Sequence, residues 1–247
     1  MKRFLTSLIV TTLLSCAAQA ADLGGKLLKV GSDTTSPPYE SVDQATGNIV
    51  GFDVDVVNAI CERINCKAEF VTTGWDGIFP ALQQGNFDLV ASGVSITPER
   101  DKTMDFTDPY LINSQAILMR VADEGATLDT LKSGKKLAAQ TGTTDADLAV
   151  SLVGRDNVSL YDTFAGAVVA LQNGDVFGVV INGGNGPAYE QEFAGKLIVG
   201  IKDLQADPLG LVFREGDSMV QAFNEGLKQI TADGTLEKLR AKYWNAQ

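Results

Sequence analysis

The chain has 247 residues, 45% of them hydrophobic and 21% charged, a balance that excludes a membrane bundle and a disordered acidic tail alike. Its 20 basic and 31 acidic residues leave a net charge of −11, which repels a phosphate backbone and argues against nucleic acid as a partner. Histidine is absent, and with it Ser-His and Cys-His nucleophiles, histidine-ligated zinc and imidazole acid–base chemistry; no metal site and no cofactor is expected.

Taken from the start, Lys2 and Arg3 precede a mostly apolar run, Phe4 to Leu14, and Ala18-Gln19-Ala20 then supplies small residues two apart. This pattern predicts a secretory signal peptide over residues 1–20. The run falls short of the roughly 20 apolar residues that span a bilayer, and no later stretch reaches that length. An alternative reads Leu13-Leu14-Ser15-Cys16 as a lipoprotein box that lipidates Cys16. Export puts Cys61 and Cys66 in an oxidising compartment. Between them Asn65 suits the left-handed residue that ends many helices, so the two cysteines either form a disulfide or meet as small apolar residues at the helix end.

Strands are predicted at 27–30, 68–71, 87–91, 116–119, 136–139, 176–181, 196–199 and 209–213. Helical periodicity lies between them at 54–64, 77–84, 145–151, 164–172 and 188–193, and closes the chain at 219–231 and 236–243. Such alternation argues for α/β architecture with parallel sheets and helices on both faces. Ligands in such sheets sit outside the carboxyl ends of strands, so the turns that follow strands are where a site is expected.

Three turns carry candidate chemistry. After the apolar pair Leu89-Val90 comes Ala91-Ser92-Gly93-Val94-Ser95-Ile96-Thr97-Pro98-Glu99-Arg100. Thr97 as N-cap and Pro98 as first helical residue predict a short helix with free N–H groups. Arg100 would then sit in the first turn, where a cation is disfavoured unless an anion joins it. Its guanidinium could fork onto a carboxylate, with Ser95 and the Gly93 backbone completing the cradle; pairing with Asp101 or Asp105 on the surface is the alternative. The second turn, Gln140 to Asp147, holds Thr144 and Asp147 in capping-box spacing behind Gly142. The third, Gly183-Gly184-Asn185-Gly186, follows Asn182 and lets the backbone approach something closely. Asp33 also leaves a strand, and Trp75 at a helix entry offers a flat wall or a core side chain.

Together these segments resemble the periplasmic polar amino-acid-binding proteins of ABC importers, the solute-binding family that includes lysine/arginine/ornithine-, histidine- and glutamine-binding proteins. The resemblance runs from about Leu27 to Trp244. It rests on Gly51-Phe52-Asp53-Val54-Asp55, Trp75-Asp76-Gly77-Ile78-Phe79-Pro80, Ser95-Ile96-Thr97-Pro98-Glu99-Arg100, Asp105-Phe106-Thr107-Asp108-Pro109-Tyr110 and Asp233-Gly234-Thr235-Leu236 with Lys242-Tyr243-Trp244. It implies a two-lobed, type II periplasmic-binding-protein-like α/β fold, each lobe a mainly parallel sheet flanked by helices and joined by two crossing strands. Lobe 1 would be 22–112 with 206–247, and lobe 2 would be 113–205.

By the same resemblance Arg100 holds a ligand α-carboxylate with Ser95, Gly93, Thr143 and Thr144. Ser92 helps with the α-ammonium, Asp33 and Gln140 meet the side chain, and Trp75 stacks on the ligand. The implied partners are a polar amino acid or derivative, with a basic or amide side chain, and a membrane permease. The protein itself would be a monomeric periplasmic binder rather than an enzyme. Three positions depart from the family pattern. Asn182 stands where relatives place an ammonium-binding aspartate, Ser36 replaces an aromatic, and the second cysteine of relatives falls at Ala68. A cyclohexadienyl-dehydratase-like enzyme and a ligand-sensing partner of a receptor are the competing functions; the enzyme needs a proton donor in the cleft, which Asn182 does not supply.

Overall fold

The computed structural model describes residues 21–245 and arranges them as two α/β lobes. The signal peptide at 1–20 and Cys16 lie outside the described residues. In the first lobe, Lys26–Ser32 is flanked in parallel by Cys66–Thr72 and Leu89–Val90, and Val212–Arg214 and Met104–Phe106 extend the sheet antiparallel. The helix Phe52–Ile64 buries Phe52, Val56, Ile60 and Ile64 at four-residue spacing, a stripe that packs on Leu28 and Val30 of the sheet and on Phe223, Leu227 and Ile230 of Met219–Ala232. The helix Trp75–Gln83 covers the opposite face through Ile78 and Leu82, against Val90 and Val212.

Asn65 ends the first helix in the left-handed conformation (φ 52°, ψ 58°), and its N–H bonds to the Cys61 carbonyl. That cap brings the Cα atoms of Cys61 and Cys66 to 4.5 Å, and a disulfide joins them.

The second sheet runs Val158–Tyr161, Leu137–Gln140, Gly178–Asn182, Leu111–Arg120, Leu197–Ile201. Its first three strands are parallel, and Leu111–Arg120 is antiparallel to both neighbours, so this sheet, like the first, joins a parallel half to an antiparallel one. The reason is that Leu111–Arg120 is itself a crossing strand. It leaves the first lobe paired with Ala206–Leu209, from Leu111↔Leu209 to Ser114↔Ala206, and enters the second sheet between Gly178–Asn182 and Leu197–Ile201. The predicted strand 209–213 is therefore two strands: Ala206–Leu209 crosses back, and Val212–Arg214 joins the first sheet.

Several short elements escape periodicity altogether. Thr35–Ser36, Glu40–Val42 and Ile49–Val50 form a small sheet in the excursion after the first strand, and Leu128–Leu131 is a single helical turn. Two to four residues are too few to show a period of 2.0 or 3.6.

Candidate functional site

Five strand ends converge on one cleft between the lobes. Asp33 follows Lys26–Ser32, Trp75 follows Cys66–Thr72, and Ser92, Gly93 and Ser95 follow Leu89–Val90; from the second lobe Gln140 ends Leu137–Gln140 and Asn182 ends Gly178–Asn182. With Arg100, Thr143 and Thr144 these residues line one cleft, so all ten residues singled out in the sequence share it. The carboxyl-end rule explains why: a strand that ends at the sheet edge must turn there, and its turn faces the cleft.

Arg100 lies in this cleft, but not in the helix expected of Thr97 and Pro98. Only one 3-10 turn forms, Arg100–Lys102, with the Arg100 N–H bonded to Thr97 Oγ1 at 3.2 Å. The guanidinium donates to the Ser95 carbonyl at 2.9 Å and, across the cleft, to the Gly142 carbonyl at 3.3 Å. It stacks over Trp75 and Phe79, with centroids 5.5 and 5.3 Å away. Among the described residues no ion pair joins it to a carboxylate, so the surface pairing with Asp101 or Asp105 is not formed. Burial pushes its pKa down, against the opposing pull of Asp207, Asp147 and Asp145.

On the facing wall the helix Thr144–Val153 is capped by Thr143, one residue before the threonine that the capping-box spacing indicates; Thr143 Oγ1 accepts from Ala146 N at 3.2 Å. Both threonines can cap, and the extended backbone of Thr143 decides it. Thr144 is thereby free to reach across the cleft, where its hydroxyl lies 3.0 Å from Ser95 Oγ. Gln140 Nε2 spans the lobes too, donating to Asp33 Oδ2 at 3.1 Å. Trp75 is both wall and core: it lines the cleft, packs with Ile78 and Val94, and donates from Nε1 to Gly142 O at 3.3 Å. The Ser92 hydroxyl accepts from Asp33 N at 2.9 Å and donates to Glu40 Oε1 at 3.0 Å, so its proton is spent and Ser92 can offer a ligand only acceptors. Gly93 takes a left-handed φ of 55°, and its N–H meets Asp53 Oδ2 at 2.7 Å.

Asn182 brings an uncharged amide to the position where the resemblance places an ammonium-binding aspartate. Its Oδ1 accepts from Tyr39 Oη at 2.8 Å and from Gly184 N at 3.3 Å. The glycine-rich turn behind it is an inter-lobe contact. Gly184 O accepts from Trp244 Nε1 at 3.1 Å, Asn185 Nδ2 donates to Pro37 O at 2.7 Å and Ser36 Oγ at 3.0 Å, and a Cβ on Gly184 would overlap the Tyr39 hydroxyl.

Sequence reasoning missed Glu40, Asp145, Phe164, Asn185 and Asp207, which also line the cleft. Asp145 accepts from Gln115 Nε2 at 2.8 Å, and burial pushes its pKa up to about 7, with Asp207 adding to the shift and the Gln115 bond opposing it. Asp207, on the returning crossing strand, accepts from Ser95 Oγ at 3.0 Å and is likewise raised by burial. Burial raises Glu40 well above its ordinary value, with Asp53 the next cause. Asp145 reads in the sequence as an ordinary acidic residue in a first helical turn, and Asp207 falls in a predicted loop, so neither carries a signal of its own. Besides Asn182, the cleft therefore holds a carboxyl group, Asp145, that burial pushes up to about 7.

Comparison with known proteins agrees with this geometry. Residues 28–246 match the family described as bacterial extracellular solute-binding proteins, family 3. A "Probable histidine-binding protein" of Neisseria gonorrhoeae is 33% identical over 99% of this chain and 96% of its own. Among solved structures, an ancestral arginine-binding protein bound to glutamine superposes with a TM-score of 0.82 at 33% identity, covering 88% of this chain and 97% of its own. An ancestral amino acid-binding protein, a precursor of cyclohexadienyl dehydratase, gives 0.79 at 36% identity over 88% and 95%. The fold is thus that of the two-lobed periplasmic binding proteins, and the chain belongs to the bacterial extracellular solute-binding proteins, family 3.

Proposed function

We propose that the cleft captures a polar amino acid or amino-acid derivative with a basic or amide side chain, and that the closed, monomeric protein delivers it to the membrane permease of an ABC importer. The observation that carries this reading is the Arg100 guanidinium: half-buried in the cleft, it donates to the neutral carbonyls of Ser95 and Gly142 and, among the described residues, forms no ion pair with a carboxylate. A cation so placed is stabilised by a ligand carboxylate. In this reading Ser95, Thr143 and Thr144 accompany that carboxylate, the Ser92 and Gly93 backbone borders the amine, and Asp33, Gln140 and Trp75 surround the side chain. The lobes meet at 112/113 and 205/206, where the two crossing strands pair, and the protein works in the periplasm after loss of residues 1–20. Histidine- and arginine-binding relatives support the basic lean, and Asp33 lines the cleft where the side chain is placed. Calorimetry with L-arginine, L-histidine and L-glutamine tests it: Arg100→Ala should cost about 2–5 kcal/mol of affinity, and unchanged binding would remove the carboxylate assignment.

A second reading, an eliminating enzyme of the cyclohexadienyl-dehydratase kind, draws support from Asp145, whose raised pKa of about 7 suits a general acid. Turnover of prephenate or arogenate by the purified protein would favour it over binding alone.

A further inference from the structure

Behind the Ser92–Gly93 turn of the cleft wall stand two carboxyl groups, one for each residue of the turn. Glu40 Oε1 accepts from the Ser92 hydroxyl at 3.0 Å, and Asp53 Oδ2 accepts from Gly93 N at 2.7 Å. Ser92 passes the constraint on, because its Oγ accepts from Asp33 N at 2.9 Å. Three residues that line the cleft thus depend on this pair of acids. Glu40 and Asp53 are both 0% exposed, and among the described residues neither forms an ion pair with a lysine or arginine. Two buried carboxylates without a counter-ion hold a proton instead of a second charge.

The unpartnered atoms point to where that proton sits. Glu40 Oε2 and Asp53 Oδ1 are buried and have no hydrogen-bond partner. Their side chains spring from adjoining backbone, since Asp53 N donates at 3.1 Å to the carbonyl of Tyr39, the residue before Glu40. Two bare acceptors cannot satisfy each other, whereas one proton between them satisfies both. Asp53 Oδ2 already receives two donors, Gly93 N and Tyr110 Oη at 2.8 Å, which is the setting of a carboxylate; Glu40 Oε1 receives one. Burial raises both acids, but those two bonds pull Asp53 back, while the Asp53 charge pushes Glu40 further up. Glu40 is therefore the member that keeps the proton.

We propose that Glu40 is a positioning residue for ligand binding: its Oε2 carries a proton shared with Asp53 Oδ1, and this acid pair holds Ser92, Gly93 and Asp33 in place on the cleft wall. Loss of the proton sets two like charges side by side, drives the acids apart and draws the turn out of register with the cleft. The other titratable groups that face the pair are Asp33, Tyr39 and Tyr110. None is a cation: Asp33 adds to the repulsion, and burial raises both phenols well above their ordinary value, so they stay neutral while the pair titrates.

The affinity arm of the test rests on the amino-acid-binding reading. It is calorimetry of the full chain, wild type and Glu40→Gln, from about pH 7 to about pH 10, with whichever of L-arginine, L-histidine and L-glutamine wild type binds. In Glu40→Gln the amide oxygen accepts from Ser92 and the amide nitrogen donates to Asp53 Oδ1, so the acid form is mimicked at every pH. The two proteins should agree within about threefold at the neutral end, and wild type should fall at least about tenfold behind at the alkaline end. Their ratio cancels the titration of the ligand itself, and a ratio that stays constant overturns the inference while leaving amino-acid binding intact. A second arm needs neither ligand nor variant: in carbon-13 and nitrogen-15 NMR of wild type, the Glu40 carboxyl and the Gly93 amide should titrate together, above the usual carboxylate range. An ionised Glu40 at neutral pH, or a Gly93 amide that does not move as Glu40 titrates, overturns the inference. Should wild type bind no amino acid, that reading falls by itself, and the second arm still decides between a shared proton that positions the turn and none.

Discussion

Arg100 and Asp145 are the two side chains whose chemistry is most altered by where the chain puts them. Arg100 was legible because a cation in the first turn of a predicted helix is disfavoured unless an anion joins it, although that helix proves to be a single 3-10 turn. Asp145 was not, since an aspartate in a first helical turn is ordinary, and only the folded molecule shows it buried. The Asp145 shift has a stability consequence. An unfolded aspartate releases its proton near about 3.9, whereas the folded one keeps it to about 7. The folded state therefore binds more protons between those values, so this contribution is fully favourable below the window and is lost as pH rises through it. Urea denaturation across the window should show Asp145→Asn losing less stability than wild type as pH rises, by on the order of a few kcal/mol. Identical pH slopes for the two proteins would contradict the assignment.

Elements were legible in proportion to their length. The helix Phe52–Ile64 announces itself through apolar residues at four-residue spacing, and its stop through Asn65, whose left-handed conformation brings Cys61 and Cys66 together. Strands of two or three residues, such as Glu40–Val42 and Met104–Phe106, left no pattern, and the capping threonine was misplaced by one because its neighbour has the same chemistry. The disulfide closes a short loop, so replacing both cysteines with alanine should cost about 2 kcal/mol in chemical denaturation. Ligand affinity should not change, since neither cysteine lines the cleft. A loss of affinity beyond about threefold would mean that this helix end communicates with the site.

At the scale of the molecule, the two lobes are tied by Leu111–Arg120 and Ala206–Leu209 and meet across the cleft through two sets of contacts. One surrounds the ligand space: Ser95 with Thr144, Asp33 with Gln140, and Gly142 with Trp75 and Arg100. The other joins the glycine-rich turn to Tyr39, Pro37 and Trp244. The order of the quoted motifs foretold two lobes, but the second set was invisible in the sequence, because it pairs residues 60 to 148 positions apart. Gly184→Ala should drive the turn away from Tyr39 and shift the population towards separated lobes. Small-angle X-ray scattering should then show a larger radius of gyration than wild type at saturating ligand; equal radii would mean that this contact does not hold the lobes together.

The most direct test of the whole account is a crystal structure with a ligand selected by a thermal-shift screen of amino acids and their N-substituted derivatives, since a compound that binds only the folded state raises the melting temperature. The account predicts the ligand between the lobes, its carboxylate forked onto the Arg100 guanidinium. A ligand seated elsewhere, such as the groove lined by Ile112, Lys202 and Trp244, or one in the cleft that leaves Arg100 without an anion, would contradict it.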